Sequence, residues 1–273
     1  MTTTLRFRYA KLGKVRFTSH RDVARMWERA LRRSGLPVAW SKGFSPRPLL
    51  SFGYALPTGC ESVAEYLDVH LAEEEGTPDR PDGEQSETSA DEQRPWSPAG
   101  CVAALPGRLS PLLPQGVDVL AVGKLGDGVD SLQQAVTSCS WELEVLGVPA
   151  EELATRVEDL LDARSAVLRR ERNGLQADGD LRPSVRALTV LGAVDDVPGQ
   201  KVARCRLHAE LATQPRGLRV AELVQRLGAD LTLVRACRTQ QWIERDGIRC
   251  DPLAMTGRAE DSFHAPHAEG RAS

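Results

Sequence analysis

KVRFTSHRDVARMWERALRRSGLP, residues 14–37, carries the clearest local-structure signal in the chain. Ser19 offers an oxygen to the open amides of a helix start, and Asp22 three residues later gives the S-x-x-D form of a capping box. Val23, Trp27, Ala30 and Leu31 then recur at helical spacing, with Met26 at the edge, so one face is committed to a core. Gly35 and Pro37 end the helix. At roughly 100° per residue, Arg21, Arg25 and Arg32 fall within about 40° of one another on the opposite side. Arg29 and Arg33 widen that stripe.

Outward from this helix, strands and turns follow from the alternation of apolar and polar residues. Thr3–Tyr9 (TTLRFRY) alternates as a half-buried strand does, and Lys14–Phe17 reads as a short extended piece after Gly13. Val38–Trp40 and the loop SKGFSPRP (41–48) lead to strands at Leu49–Ala55 and Glu65–Leu71. Residues 73–98 are acidic and rich in Gly, Pro, Ser and Thr, with almost no large apolar side chains. Such a segment cannot bury enough surface to offset the entropy of ordering, so a disordered insertion is expected. A proline-broken helix (Val102–Leu113) and a strand (Val117–Leu125) close the first half.

The order then recurs. Cys139–Leu146 is expected as a strand, Pro149–Ala163 as a helix and Val167–Arg172 as an extended run into an Asn173-Gly174 turn. Val185–Leu191 and Val202–Leu211 read as strands, Leu218–Leu227 as a helix and Leu233–Ile243 as a strand. Each half approximates strand–helix–strand–strand–helix–strand. The expected fold is therefore α+β. It comprises two ferredoxin-like units with antiparallel sheets and helices on one face, at 1–125 and 126–256, and a polar, disordered tail at 257–273.

Charge is distributed unevenly along the 273 residues. The net charge is −3, yet residues 1–50 carry twelve Lys and Arg against only Asp22 and Glu28, a net of +10. A basic block on an otherwise acidic chain points to a polyanionic partner, with a solvated basic face as the plainer alternative. No stretch approaches the ~20 apolar residues of a membrane span, and the start MTTTLRFRYAK has no secretory apolar run. A cytoplasmic location without membrane contact is expected. The six cysteines (Cys60, Cys101, Cys139, Cys205, Cys237 and Cys250) form no C-x-x-C pair, so no zinc or iron–sulfur motif is legible. They are expected as small buried thiols. No phosphate-cradling glycine loop or G-x-S-x-G elbow occurs either.

Three ordered runs within residues 14–71 carry a resemblance: F-x-S-H-x-D (Phe17 to Asp22), A-L-R-R-x-G-L-P (Ala30 to Pro37) and G-F-S-P-R-P (Gly43 to Pro48). LPQGVDVLAV (113–122), DLRP (180–183) and Arg238-Thr239 continue it more loosely. In these the chain resembles the bacterial radical-SAM-associated domain of unknown function, which stands alone or forms the carboxy-terminal part of radical-SAM proteins. The resemblance implies a partner enzyme using an iron–sulfur cluster and S-adenosylmethionine, with no cofactor in this chain and no established activity of its own. The acidic insertion departs from the pattern. The duplicated architecture is also similar to RNA-binding and RNA-cleaving proteins of CRISPR systems, although a shared fold does not transfer function.

The candidate surface combines the helix and the loop. Arg21, Arg25, Arg29 and Arg32 at one-turn spacing suit phosphate oxygens, and Lys42 and Arg47 add charge from a loop stiffened by Pro46 and Pro48. Phe44 and Trp40 are placed to stack on unpaired bases, or Phe44 plugs the core. Arg182 and Arg238 are possible contacts from the second unit. His20 is the acid–base candidate, suited to deprotonating a ribose 2′-hydroxyl. The expected role is an RNA-binding accessory module for a radical-SAM enzyme acting on tRNA or rRNA, not itself a catalyst. Alternatives are a metal-independent endoribonuclease using His20 and a protein-docking partner without RNA contact.

Overall fold

The computed structural model describes residues 3–42, 44, 46–72, 102–126, 131–172, 175–194 and 203–254. Helix α1 spans His20–Ser34 and begins as its capping box dictates. The Asp22 amide donates to Ser19 Oγ at 3.2 Å, and that hydroxyl donates to the Asp22 carboxylate at 2.7 Å. Gly35 ends the helix with φ of 70°, a left-handed turn that a Cβ would oppose. Val23, Trp27, Ala30 and Leu31 are all buried.

Trp27 is the anchor of that face. It meets Phe7 at 5.7 Å and Tyr9 at 5.1 Å between ring centroids, both on strand β1 (Thr4–Lys11). Burying an aromatic or large aliphatic side chain contributes on the order of 1.5–3 kcal/mol each, so this contact fixes α1 on the sheet. β1 lies between β3 (Glu61–His70) and β4 (Val117–Lys124), antiparallel to both, and the short β2 (Leu50–Phe52) pairs with β3. Helix α2 (Leu105–Leu109) adds Leu105 and Leu109 to the same core.

The second half lays down β5 (Val136–Leu146), β8 (Val185–Ala193), β9 (Arg204–Ala212) and β10 (Thr232–Arg245), with β11 (Ile248–Cys250) on the edge of β10. Helices α4 (Ala150–Asp162) and α5 (Val220–Leu227) pack on it through Leu153, Val157, Leu160, Leu223, Val224 and Leu227. The four-residue α3 (Leu132–Ala135) places Leu132 against Ala64 and Tyr66. A separate hairpin joins β6 (Val167–Arg172) and β7 (Leu175–Asp180).

Among the described residues, nine strands form one sheet in the order β4-β1-β3-β10-β5-β9-β8, with β2 on β3 and β11 on β10. The chain is thus mixed α+β, with a large, mostly antiparallel sheet and few helices. A single parallel contact joins the halves: Cys237 aligns with Glu61 and Arg238 with Ser62. The antiparallel sheets expected for 1–125 and 126–256 are joined through this pairing into one sheet. The extra register comes from the polar start of β3, Glu61-Ser62, which lacks the apolar pattern of a strand but is buried at the seam.

Other differences are local. Gly13–Phe17 forms a 3-10 turn, because the Glu61 carboxylate accepts the Gly13 amide at 2.8 Å and holds the turn. The helix expected at Val102–Leu113 is one short α-helix followed by a 3-10 turn at Ser110–Leu112. Strands β7 and β11 were not legible in the sequence. The acidic insertion, the Asn173-Gly174 turn and the tail lie outside the described residues. No described helix is long and apolar enough to cross a membrane.

Candidate functional site

The basic block divides in two once folded. Arg6 is fully buried and grips Asp68 through two hydrogen bonds, at 2.7 and 2.8 Å, while a third reaches the Pro252 carbonyl at 3.0 Å. Arg8 pairs with Asp251 at 3.5 Å, Arg16 with Glu61 at 3.4 Å, and Lys11 donates to the Thr18 carbonyl at 3.0 Å. These four cations belong to the fold. Arg21, Arg29, Arg32, Arg33, Lys42 and Arg47 are exposed and form no ion pair with any described residue.

The loop that carries Arg47 is held shut across its base. Ser41 N–H donates to the Arg47 carbonyl at 2.8 Å, the Arg47 amide donates to Ser41 Oγ at 3.0 Å, and Leu49 N–H donates to the Ala39 carbonyl at 2.8 Å. Ala39 N–H and His70 N–H in turn tie both arms to the end of β3. Pro48 is buried and Trp40 bridges to it. Arg47 is therefore held beside Ser41 at the closed base of the loop.

Between this loop and α1 lies a cleft of about 260 Å³ lined by Arg21, Ala24, Arg25, Glu28, Arg32, Pro46 and Arg47. Four arginines from two elements thus line one volume, with one acidic residue among them. Arg25 has a weak partner in Asp22 at 3.4 Å, on the exposed first turn. The Glu28–Arg32 pair available at four-residue spacing is not made; the Arg32 guanidinium lies 4.8 Å from the centre of the Trp40 ring instead.

A search of curated proteins returns no match. A family model for uncharacterized proteins conserved in bacteria (DUF2344) matches residues 4–82 and 101–223. The chain belongs to this family. In this DUF2344 protein the match contains every residue lining the cleft and leaves out residues 83–100, most of the acidic insertion.

The residues singled out from sequence fall into three groups. Arg21, Arg25, Arg32 and Arg47 come together. Arg29 and Lys42 are exposed but do not line the cleft, Arg29 because it sits about 80° around the helix from Arg21. Phe44 stands wholly in solvent, so it plugs no core, and Trp40 is partly exposed beneath Arg32. Arg182 and Arg238 serve the fold instead of a surface. Arg182 donates to the carbonyls of Leu161 and Val185. Arg238 is fully buried against Glu65, at 2.6 Å, and the Tyr54 carbonyl, at 2.7 Å. Burial alone would ease its proton off, but the Glu65 carboxylate more than reverses this and raises its pKa.

His20 is exposed at the start of α1 and packs edge-on to Phe52 at 4.9 Å, away from the cleft lining. Cys60, Cys139, Cys205 and Cys237 are buried free thiols, and burial pushes Cys237 up to about 11. Cys250 is partly exposed, and Cys101 lies outside the described residues. Sequence reasoning missed Glu28 as a cleft residue. The signal was available: on the helical wheel it sits about 20° from Arg21 and 40° from Arg32, inside the arginine stripe.

Proposed function

We propose that this protein is an RNA-binding accessory module that works with a separate radical-SAM enzyme in tRNA or rRNA modification. The observation that carries the RNA reading is the cleft, which Arg21, Arg25, Arg32 and Arg47 line against a single acid, Glu28, with Arg25 alone of the four ion-paired, to Asp22. Guanidinium groups bind phosphate oxygens through paired, charge-assisted hydrogen bonds, and neighbouring Phe44, wholly exposed, offers a ring face to an unpaired base. A stiff loop opposite a helix suits a single strand, whose backbone enters a cleft that a duplex cannot.

The radical-SAM partnership rests on the resemblance of residues 14–71, and the iron–sulfur cluster and S-adenosylmethionine belong to that partner. We read the strand orders β4-β1-β3-β2 and β10-β5-β9-β8 as two ferredoxin-like units fused edge to edge. This reading fits the duplicated element order of the sequence and leaves the outer face of α1 clear of the sheet.

The test is equilibrium binding of labelled single-stranded RNA to the wild-type chain and to an Arg21→Glu/Arg25→Glu/Arg47→Glu variant, in a chelator. Binding lost in the variant, with an unchanged circular-dichroism spectrum, supports the module. Equal binding by both removes the cleft from the account. RNA cleaved by the wild type and left whole by His20→Ala replaces the module with a nuclease. Co-purification of a radical-SAM enzyme through the arginine face, without RNA, replaces it with a docking protein.

A further inference from the structure

One side chain in the cleft has the wrong sign for a site that holds only phosphate. Glu28 lines it beside four arginines, yet makes no ion pair or hydrogen bond with any described residue. Neither neighbour at helical spacing pairs with it: Arg25 lies nearer Asp22, at 3.4 Å on an exposed turn, and the Arg32 guanidinium lies 4.8 Å from the Trp40 ring centre. A carboxylate left among them repels each phosphate the arginines attract. It therefore weakens general polyanion binding, and it is compatible with tight binding only if the ligand brings it a hydrogen-bond donor.

Helix geometry suggests where that donor lies. Glu28 stands about 4.5 Å along the axis from Arg25 and about 6 Å from Arg32. A strand gripped at both arginines presents a sugar to the position between them. The donor on a ribose–phosphate backbone is the 2′-hydroxyl, and deoxyribose has none. A carboxylate is purely an acceptor, so it matches ribose and is left opposed to phosphate by DNA.

We infer that Glu28 is the residue that selects RNA over DNA, by accepting a hydrogen bond from a ribose 2′-hydroxyl. This rests on the reading of the cleft as a nucleic-acid site. It adds to that reading the sugar as the feature recognised, and it gives the single carboxylate a role that phosphate binding cannot.

The experiment uses one unstructured sequence made as labelled RNA and as labelled DNA, titrated by fluorescence anisotropy into the wild type, Glu28→Gln and Glu28→Ala at fixed salt. The wild type is expected to prefer RNA by roughly tenfold or more, the scale of one hydrogen bond to a charged group. Glu28→Ala tightens DNA several-fold by removing repulsion and fails to tighten RNA equally, so the preference falls toward unity. Glu28→Gln keeps an acceptor without the charge and retains part of the preference. RNA and DNA tightening by one common factor in Glu28→Ala, or neither changing, overturns the inference while the cleft remains a nucleic-acid site. Failure of the wild type to bind either strand overturns the nucleic-acid reading and this inference together.

Discussion

Salt dependence gives the cleft a quantitative signature. Each phosphate neutralised on a single strand contributes about −0.7 to the slope of log affinity against log salt concentration. If Arg21, Arg25, Arg32 and Arg47 each hold one phosphate, the slope is about −2.8, and affinity falls roughly 50-fold between 50 and 200 mM salt. Removing one arginine flattens the slope to about −2.1, which reduces that loss to roughly 20-fold. The four are not equal. Arg25 is already partly offset by Asp22, so Arg25→Ala is expected to change the slope less than Arg21→Ala or Arg47→Ala. Arg29→Ala and Arg33→Ala serve as controls, because these residues lie on the same helix and are exposed but do not line the cleft. The assay is anisotropy of a labelled single-stranded RNA at several salt concentrations and constant pH. A flat wild-type slope, or controls that flatten it as much as Arg21→Ala and Arg47→Ala, would refute the reasoning. The second result would show that charge anywhere on α1 suffices and that convergence on the cleft is irrelevant.

Three further predictions concern the scaffold. Glu65→Leu leaves the Arg238 guanidinium buried without its counter-ion and is expected to cost about 3–5 kcal/mol in urea unfolding, while Glu65→Leu with Arg238→Met recovers most of that loss; a single variant within 1 kcal/mol of wild type would count against a dry seam. Gly116→Ala places a Cβ 2.3 Å from the Leu12 carbonyl oxygen at φ of 88° and is expected to destabilise by about 1–3 kcal/mol, measured by thermal unfolding. Burial alone would raise the Glu61 carboxyl, but hydrogen bonds from Arg235 and the Gly13 amide hold it below the ordinary carboxylate value. Its contribution is therefore present above the ordinary value and lost as pH falls through the depressed one. The stability gap between wild type and Glu61→Gln should hold from about pH 7 to pH 5 and close in stronger acid; a gap that widens there contradicts the assigned sign.

Local chemistry was readable and long-range pairing was not. Helix α1 could be placed from Ser19, Asp22, Gly35 and four apolar residues because every determinant lies within the segment itself. Its arginine stripe followed from the same geometry. The alternation of β1 was equally visible, but its consequence was not: Arg6 occupies the polar side of the pattern and is nevertheless buried, because Asp68 and Pro252 lie 62 and 246 residues away in sequence. Arg238 misled for the same reason, since its partner Glu65 is on another strand 173 residues distant. The contribution of Arg47 to the cleft could be suspected from the loop but not located. Its position depends on the Ser41–Arg47 closure and on the docking of both arms to β3. Strand β7, LQADGD, is poor in β-branched and aromatic residues and exists through its partner β6.

The division of the basic block is itself an argument about function. The chain carries 38 acidic residues against 35 basic ones, so partners for exposed arginines are not scarce. Where the sheet and its seam needed neutral pairs, the fold supplies them: Arg6 with Asp68, Arg8 with Asp251, Arg235 with Glu61, Arg238 with Glu65 and Arg249 with Glu210. Arg29, Arg33 and Lys42 are exposed and form no ion pair with a described residue either, so it is the gathering of Arg21, Arg25, Arg32 and Arg47 around one volume that sets the cleft apart. Yet among the described residues, α1 and the 41–48 loop offer Asp22 alone as an ion-pair partner for their arginines, and the one acid inside the cleft stays apart from all of them. Four like charges held around one small volume repel one another, a cost that pairing would have removed. The ligand proposed above would supply that counter-charge from outside, and the salt-dependence measurement tests whether it does.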